Sequence, residues 1–220
     1  MPSNLDASTN WREAVRRVMY SVANEEAESH ADGEVTFNYR WEHVRAVATL
    51  AVRLAELVEA DAEVVEAAAW LHDARKETGE EHAAVGAAFA RDFLATTDFP
   101  AQKIERVAQA IANHQGLWRD EPLNDLESAV LWDADKLSKL GLTAAFHFTG
   151  WTLNGRRDED GPFSTRDLIT RGADADWQDR TVASMHTAPA RRAARTRLET
   201  YRRLWRDLAA ELAGDDLPAA

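Results

Sequence analysis

Val64-Val65-Glu66-Ala67-Ala68-Ala69-Trp70-Leu71-His72-Asp73 is an apolar helical run that ends on an imidazole beside a carboxylate. A helix that is apolar almost all round packs inside a protein, so His72 and Asp73 emerge where the chain would otherwise stay buried. Neutral imidazole nitrogen and carboxylate oxygen are the ligand set of a divalent first-row metal. A His-Asp dipeptide alone is weak evidence, because it arises often by chance; its companions give it weight. His43 lies upstream, in Tyr39-Arg40-Trp41-Glu42-His43-Val44. Downstream come His82, then His114 in Ile111-Ala112-Asn113-His114, then Asp135 in Leu131-Trp132-Asp133-Ala134-Asp135-Lys136-Leu137. Nearly all of them interrupt an alanine-, valine- or leucine-rich helical pattern.

Outward from this stretch the chain reads as helices with short breaks. Trp11, Val15, Val18, Met19 and Val22 recur at helical spacing, which predicts a helix from Trp11 to about Ser29 capped by Asn10. A turn containing Gly33 leads to a helix from about Arg40 to Ala60, with Val44, Val47, Ala48, Ala51, Leu54, Ala55 and Val58 facing inward. Asp61 caps the helix that ends near His72-Asp73. Thr78 and Gly79 break the chain before a helix from about Glu81 to Thr96. Asp98-Phe99-Pro100 forms a turn into a helix ending at His114, with Gly116 as its stop. Asn124 or Asp125 opens a helix through Asp135 to about Leu140, and Gly141 leads into a shorter one to about Phe148. Trp151 to Gly161 reads as loop, Ser164 to Arg171 as a short capped helix, and Pro189 to about Leu212 as a long last helix before a frayed tail. No repeat and no useful period-2 strand occurs, so the expected fold is all-α.

At 220 residues the chain suits one domain with extensions, long enough to bury a substantial core. A formal net charge of -12 and a pI of about 5.0 argue against a nucleic-acid polymer or an anionic membrane as partner. The absence of cysteine excludes disulfides, zinc-thiolate sites, iron–sulfur clusters and thiol nucleophiles. The polar stretch Met1–Asn10 does not resemble a signal peptide, and no run of about 18 apolar residues suggests a membrane span. A cytoplasmic protein is the expectation. Arginine greatly outnumbers lysine, which occurs only as Lys76, Lys103, Lys136 and Lys139.

His43, His72, Asp73 and Asp135 offer two imidazoles and two carboxylates, enough for one octahedral divalent ion with positions left for water. His82 and His114 add two imidazoles. With Asp73 as a bridge, the set could hold a second ion, and such pairs clamp the attacking and leaving oxygens of a displacement at phosphorus. The nitrogen and oxygen donors suit Mn, Fe, Co, Ni or Zn, with Mg possible. Lys76 follows Asp73 by three residues and Arg40 precedes His43 by three, and both are expected to meet phosphoryl oxygens. A metal-bound water of lowered pKa would then make phosphoester hydrolysis the natural reaction.

The ordered pattern His43 … His72-Asp73 … Asp135 resembles the HD-domain superfamily of metal-dependent phosphohydrolases. Leu71 to Glu77, read Leu-His-Asp-x-x-Lys-Glu, and Ala134 to Leu137, read Ala-Asp-x-Leu, carry the likeness over about residues 38 to 148. The resemblance implies a helical bundle of HD type, with an N-terminal helix and linker over 1–37 and a helical extension over 149–220. It implies that His43, His72, Asp73 and Asp135 ligate a first metal, while His82 and His114 match the extra histidines of two-metal members. Asp133 ranks below Asp135 as a competing or supporting ligand. His114 is followed by Gln115, so the His-His doublet of cyclic-di-GMP phosphodiesterases is missing. The superfamily's range leaves the substrate as a nucleotide or another small phosphoester. A nucleotide sensor without turnover is the alternative, and a di-iron oxygenase a further one.

Other residues are expected to be structural. His30, His147 and His186 fall outside the pattern. Trp41, Trp70, Trp118 and Trp132 lie near ligand positions and could stack on a nucleobase, although core packing is the stronger expectation. The last helix should bury Ala193, Leu198, Tyr201, Leu204, Trp205 and Leu208 under an arginine-rich solvated face, with a homodimer contact possible there.

Overall fold

In the computed structural model, five helices start where a side chain satisfies free N–H groups of the first turn: α1, α2, α3, α6 and α10. The structure describes residues 10–31, 33–154, 164–173 and 176–218. The Asn10 side chain accepts from the N–H groups of Arg12 and Glu13 to open α1, Trp11–His30. Asn38 opens α2, Tyr39–Val58, and Asp61 opens α3, Ala62–Leu71. After a 3-10 segment, Lys76–Glu81, come α4, His82–Leu94, a 3-10 turn, Ala101–Lys103, and α5, Ile104–Asn113. Asp125 caps α6, Leu126–Ser138, and α7 follows as Gly141–Asn154. The remaining helices are α8, Thr165–Ala173, α9, Trp177–Ala183, and α10, Ala188–Ala213, which Thr187 caps. No strand occurs among the described residues, and none of their helices is long and apolar enough to cross a membrane. The fold is all-α.

The core sits where α2 packs between α3 and α6 and where α5 joins α3, α4 and α6. The run that opened the sequence is its centre: Val64, Val65, Ala67, Ala68, Ala69 and Leu71 are all fully buried. Alanine-rich faces let these helices approach closely, which brings helix ends from four directions to one point. The N-terminal helix belongs to the same core through Trp11, Val15, Met19 and Ala23, as do Met185, Ala190 and Ala194 at the entry of α10. The second half of α10 forms a smaller cluster with α7 and α8, built on Ala145, Tyr201 and Trp205. Ala193, Leu204 and Leu208, expected on the buried side of α10, are only half-buried against these clusters.

Two expectations differ from the structure. The helix expected to stop near Phe148 continues to Asn154, because nothing between Phe148 and Asn154 breaks it and Gly150 lies against the Phe37 ring. Helix α9 was not anticipated from sequence; seven residues with a single apolar turn are too few for periodicity to register. Readings for residues 1–9, 155–161 and 219–220 lie outside the described residues.

Candidate metal centre

Helix ends position all six candidate ligands. His43 lies one turn into α2. His72 and Asp73 follow the last residue of α3 in a tightened turn, with Ala74 N–H donating to Leu71 O (3.0 Å) and Lys76 N–H to Asp73 O (3.1 Å). Gly79, at φ 64, reverses the chain so that His82 can begin α4 facing inward; a side chain there would be strained in the left-handed region. His114 is the C-cap of α5, and Asp135 lies in the last turn of α6. His82, the most open of the six, is only 5 % exposed.

The imidazoles are held in one tautomer. The Nδ1 atoms of His72, His82 and His114 lie 2.8, 2.6 and 2.5 Å from the backbone carbonyls of Ala69, Gly79 and Ile111. A carbonyl only accepts, so each Nδ1 carries the proton. His43 Nδ1 lies 3.0 Å from Ser138 Oγ, whose own hydrogen goes to Asp135 O at 2.7 Å; Ser138 therefore accepts and His43 donates. This assignment follows from the hydrogen-bond network. All four Nε2 lone pairs then point to the middle, the arrangement that outer hydrogen bonds impose on metal-binding histidines.

These donors form two groups, His43 with His72 and Asp135, and Asp73 with His82 and His114. Asp73 joins them. Its Oδ2 lies 3.6 Å from His43 Nε2 and 3.5 Å from His72 Nε2, while its Oδ1 lies 3.7 Å from His114 Nε2 and 4.0 Å from His82 Nε2. His43 Nε2 is 3.3 Å from Asp135 Oδ1. His43 Nε2 and His72 Nε2 face each other at 3.4 Å. Two lone pairs at that separation repel unless a proton or a metal ion lies between them. Burial disfavours the proton: it pushes His72 down to about 3, against the opposing pull of Asp73 and Asp135, and lowers His43 and His82 as well. The donor set thus fits divalent metal.

Cations surround the donors. Arg40 donates to Asp73 Oδ2 and holds Glu26 through two bonds, Nε to Oε2 at 2.7 Å and Nη2 to Oε1 at 2.9 Å. Burial alone would raise Asp73, but His72 and Arg40 override it and hold the carboxyl well below its usual range. Lys136, 2 % exposed, donates to Asp135 Oδ2 and to His114 O at 2.9 Å, and Lys139 donates to Asp135 Oδ1 at 2.6 Å. Against burial, these two ammonium groups keep Asp135 well below the carboxylate range. Burial in turn lowers Lys136 to about 8. Lys76 Nζ lies 3.2 Å from His82 Nε2 and 3.8 Å from Asp73 Oδ1, on the open edge of the centre.

The six expected ligands and both expected cations therefore meet at one place. Asp133 does not join them. It points the other way and accepts from the N–H groups of His186 and Thr187, both at 2.8 Å, so it caps the start of α10. None of the four tryptophans weighed for a nucleobase role lines the cleft beside the centre. Trp132 is fully buried beside His186, Trp41 packs on Trp70 and Trp118 lies under Arg180. The aromatic cleft beside the centre, of about 360 Å³, uses other rings: Tyr39, Phe148, Trp151, Trp177 and Tyr201, with Ser138 and Lys139 at the end nearest the ligands. Tyr39 stacks on His43 with ring centroids 5.9 Å apart.

Sequence reasoning missed Ser138, Lys136 and Lys139. A signal existed for the lysines. Four lysines stand against 22 arginines in the chain, and three of the four reach this centre. Lysine offers a compact charge whose proton affinity responds to burial, which arginine does not.

Buried histidines and aspartates gathered at helix ends, beside a cleft, form a donor set of the kind that could hold divalent metal. Residues 40–140 match the HD domain family, and this segment of the chain is an HD domain. Solved structures of similar fold span nearly the whole chain. Bacillus subtilis YpgQ in complex with ADP is 23% identical, with a TM-score of 0.61, covering 91% of this chain and 94% of that one. An HD-superfamily hydrolase from Bacillus thuringiensis is 20% identical, with a TM-score of 0.62 and coverage of 93% and 99%. A predicted HD superfamily hydrolase from an uncultured Thermotogales bacterium is 20% identical, with a TM-score of 0.60 and coverage of 90% and 91%. At these identities the likeness establishes the fold. Among curated proteins, none matches the chain significantly.

Proposed function

We propose that this protein is a metal-dependent phosphohydrolase acting on a nucleotide or another small phosphoester, and that its centre holds two divalent ions. His43, His72, Asp135 and Asp73 Oδ2 would hold one ion; His82, His114 and Asp73 Oδ1 would hold the other. Such ions supply Lewis acidity toward phosphoryl oxygens and lower the pKa of water. The observation that carries the reading is charge. Arg40, Lys76, Lys136 and Lys139 already outnumber Asp73, Asp135 and Glu26, so added metal enlarges a positive excess. A polyanion such as a phosphate ester complements that excess, whereas a neutral organic substrate does not.

The chain's own residues divide the remaining work. Lys76, with 40 % of its side chain exposed, meets a phosphoryl oxygen at the open edge. Lys139 meets one from the cleft wall. Arg40, expected from sequence to contact substrate, is engaged by Glu26 and Asp73, and its role here is to fix the bridging carboxylate. Lys136 does the same for Asp135. The crystallisation of YpgQ with ADP supports a nucleotide as the ester.

The test is phosphate release from a panel of nucleotides and simple phosphoesters by metal-stripped protein reloaded with Mn, with Asp73→Ala as control. Release by the wild type alone supports the proposal. Tight nucleotide binding without release by loaded wild type would instead make the protein a sensor.

A further inference from the structure

The wall of the aromatic cleft contains a polar group with nothing to bind. Gln178, in the first turns of α9, lines the cleft and is 1 % exposed. Its carboxamide oxygen Oε1 is buried and has no hydrogen-bond partner among the described residues. Buried carbonyl oxygens are nearly always paired, so one that is not marks a place where a ligand or water belongs.

The surroundings narrow the choice. Helix α9 is pinned to the segment that follows the candidate ligand His114. Thr181 Oγ1 donates to Leu117 O at 2.6 Å, while Ser184 Oγ accepts from Arg119 N–H at 3.0 Å and lies 3.1 Å from Arg119 O. Gln178 is therefore presented from a fixed element. Flat rings flank the same space: Tyr201, Trp177 and Tyr39 line it, and Trp151 is 53 % exposed at its edge. Exposed tryptophan and buried tyrosine offer faces on which a planar heterocycle stacks. The cleft, about 360 Å³, lies within the range of small-molecule pockets, about 300–1,000 Å³. Lys139, which touches the candidate ligand Asp135, lines the same cleft.

We infer that Gln178 reads the base of a nucleoside phosphate, its Oε1 accepting from an exocyclic amino group while the cleft's rings stack on the heterocycle and the phosphates reach Lys139 and the metal centre. The vacancy is an acceptor, so the base that fits is one that donates, as adenine or cytosine does through its amino group. Glutamine pairs with the amino group of adenine in this way in nucleic-acid recognition. The inference deepens the proposed function and rests on it: it names the part of the substrate that the metal centre does not touch.

Adenosine and inosine diphosphates differ in whether that position of the ring carries an amino group or a carbonyl oxygen, so they form the probe pair. Their binding to the Mn-loaded protein is measured by calorimetry, with the methylene-bridged analogues of both, whose phosphorus–carbon bonds resist hydrolysis, where turnover has to be blocked. The expected result is about tenfold tighter binding of the adenosine compound, the size of one well-made hydrogen bond. Gln178→Leu should abolish that preference while leaving binding of inorganic pyrophosphate unchanged. Equal affinity of the unsubstituted position 178 protein for the two nucleotides would overturn the inference alone, whatever the folding of the variant. Failure to bind either nucleotide, with pyrophosphate still bound, would overturn it too while leaving a phosphohydrolase of non-nucleotide esters in place. Failure to bind all three would overturn the proposed function with it.

Discussion

Replacing Ser138 by alanine removes one oxygen atom and tests how the centre is organised. Ser138 is 1 % exposed, and its hydroxyl accepts from His43 Nδ1 at 3.0 Å while donating to Asp135 O at 2.7 Å. Without it, the Nδ1–H of His43, a residue 1 % exposed, loses its partner. An unsatisfied buried donor costs about 1–3 kcal/mol. The imidazole relieves the loss by moving its proton to Nε2, and the atom that should face a metal becomes a donor. Loss of such an outer hydrogen bond typically weakens metal affinity about 10–100-fold, or about 1.4–2.7 kcal/mol. The assay is calorimetric titration of metal-stripped protein with Mn. Ser138→Ala should weaken the ion held by His43 and leave the ion held by His82 and His114 near its original affinity. Unchanged affinity at both, together with an unchanged melting temperature, would refute the tautomer argument.

Other outcomes follow from the same geometry. Lys136→Met strips Asp135 of a buried partner and leaves His114 O unpaired; removing one member of a buried pair costs about 3–5 kcal/mol, read by urea unfolding of the metal-free protein, and the loss should shrink when Mn is bound as a substitute counter-charge. Asp133→Ala removes the acceptor for two N–H groups at the start of α10; it should cost about 2 kcal/mol on the scale of helix-cap losses without changing metal content, whereas Asp135→Ala should lose metal. Acid should destabilise the metal-free protein. His72 is held down to about 3 in the fold, with His43 and His82 also lowered, so the unfolded chain binds more protons below about pH 6.5. Stability is then full above the unfolded histidine value and falls as pH drops toward 3, with Asp73 and Asp135 adding to the loss below the usual carboxylate range. A flat melting temperature between pH 7 and pH 4 would contradict this.

Much of the centre could be read from the chain because its ligands sit at helix ends, and helix ends leave marks: Asn10, Asn38 and Asp61 as caps, Gly79 and Gly116 at positive φ, apolar periodicity between them. His72-Asp73 stood out because the run before it is too apolar to face water. What escaped was contact across sequence distance. Ser138 and His43 are 95 residues apart, and nothing local to either says that one fixes the other's proton. Asp133 and Asp135 lie two apart on one helix and so point to different sides, one to α10 and one to the metal donors, a choice that depends on where α10 packs. The aromatic cleft escaped for the same reason. Its rings come from α2, α7, α9 and α10, while the tryptophans nearest the ligands in sequence, Trp70 and Trp132, went into the core. Arg40 was expected from its spacing to His43 to meet phosphoryl oxygens, and its bonds to Asp73 and to Glu26, from α1, were beyond the reach of local sequence.

The most direct test of the central claim is the metal content of purified, Mn-saturated protein, wild type beside Asp73→Ala, by elemental analysis after removal of free metal. The account predicts two ions per chain in the wild type and loss of both, or retention of one weakly held ion, in the variant, because Asp73 supplies an oxygen to each group. Full metal content in Asp73→Ala, or none in the wild type, would contradict it.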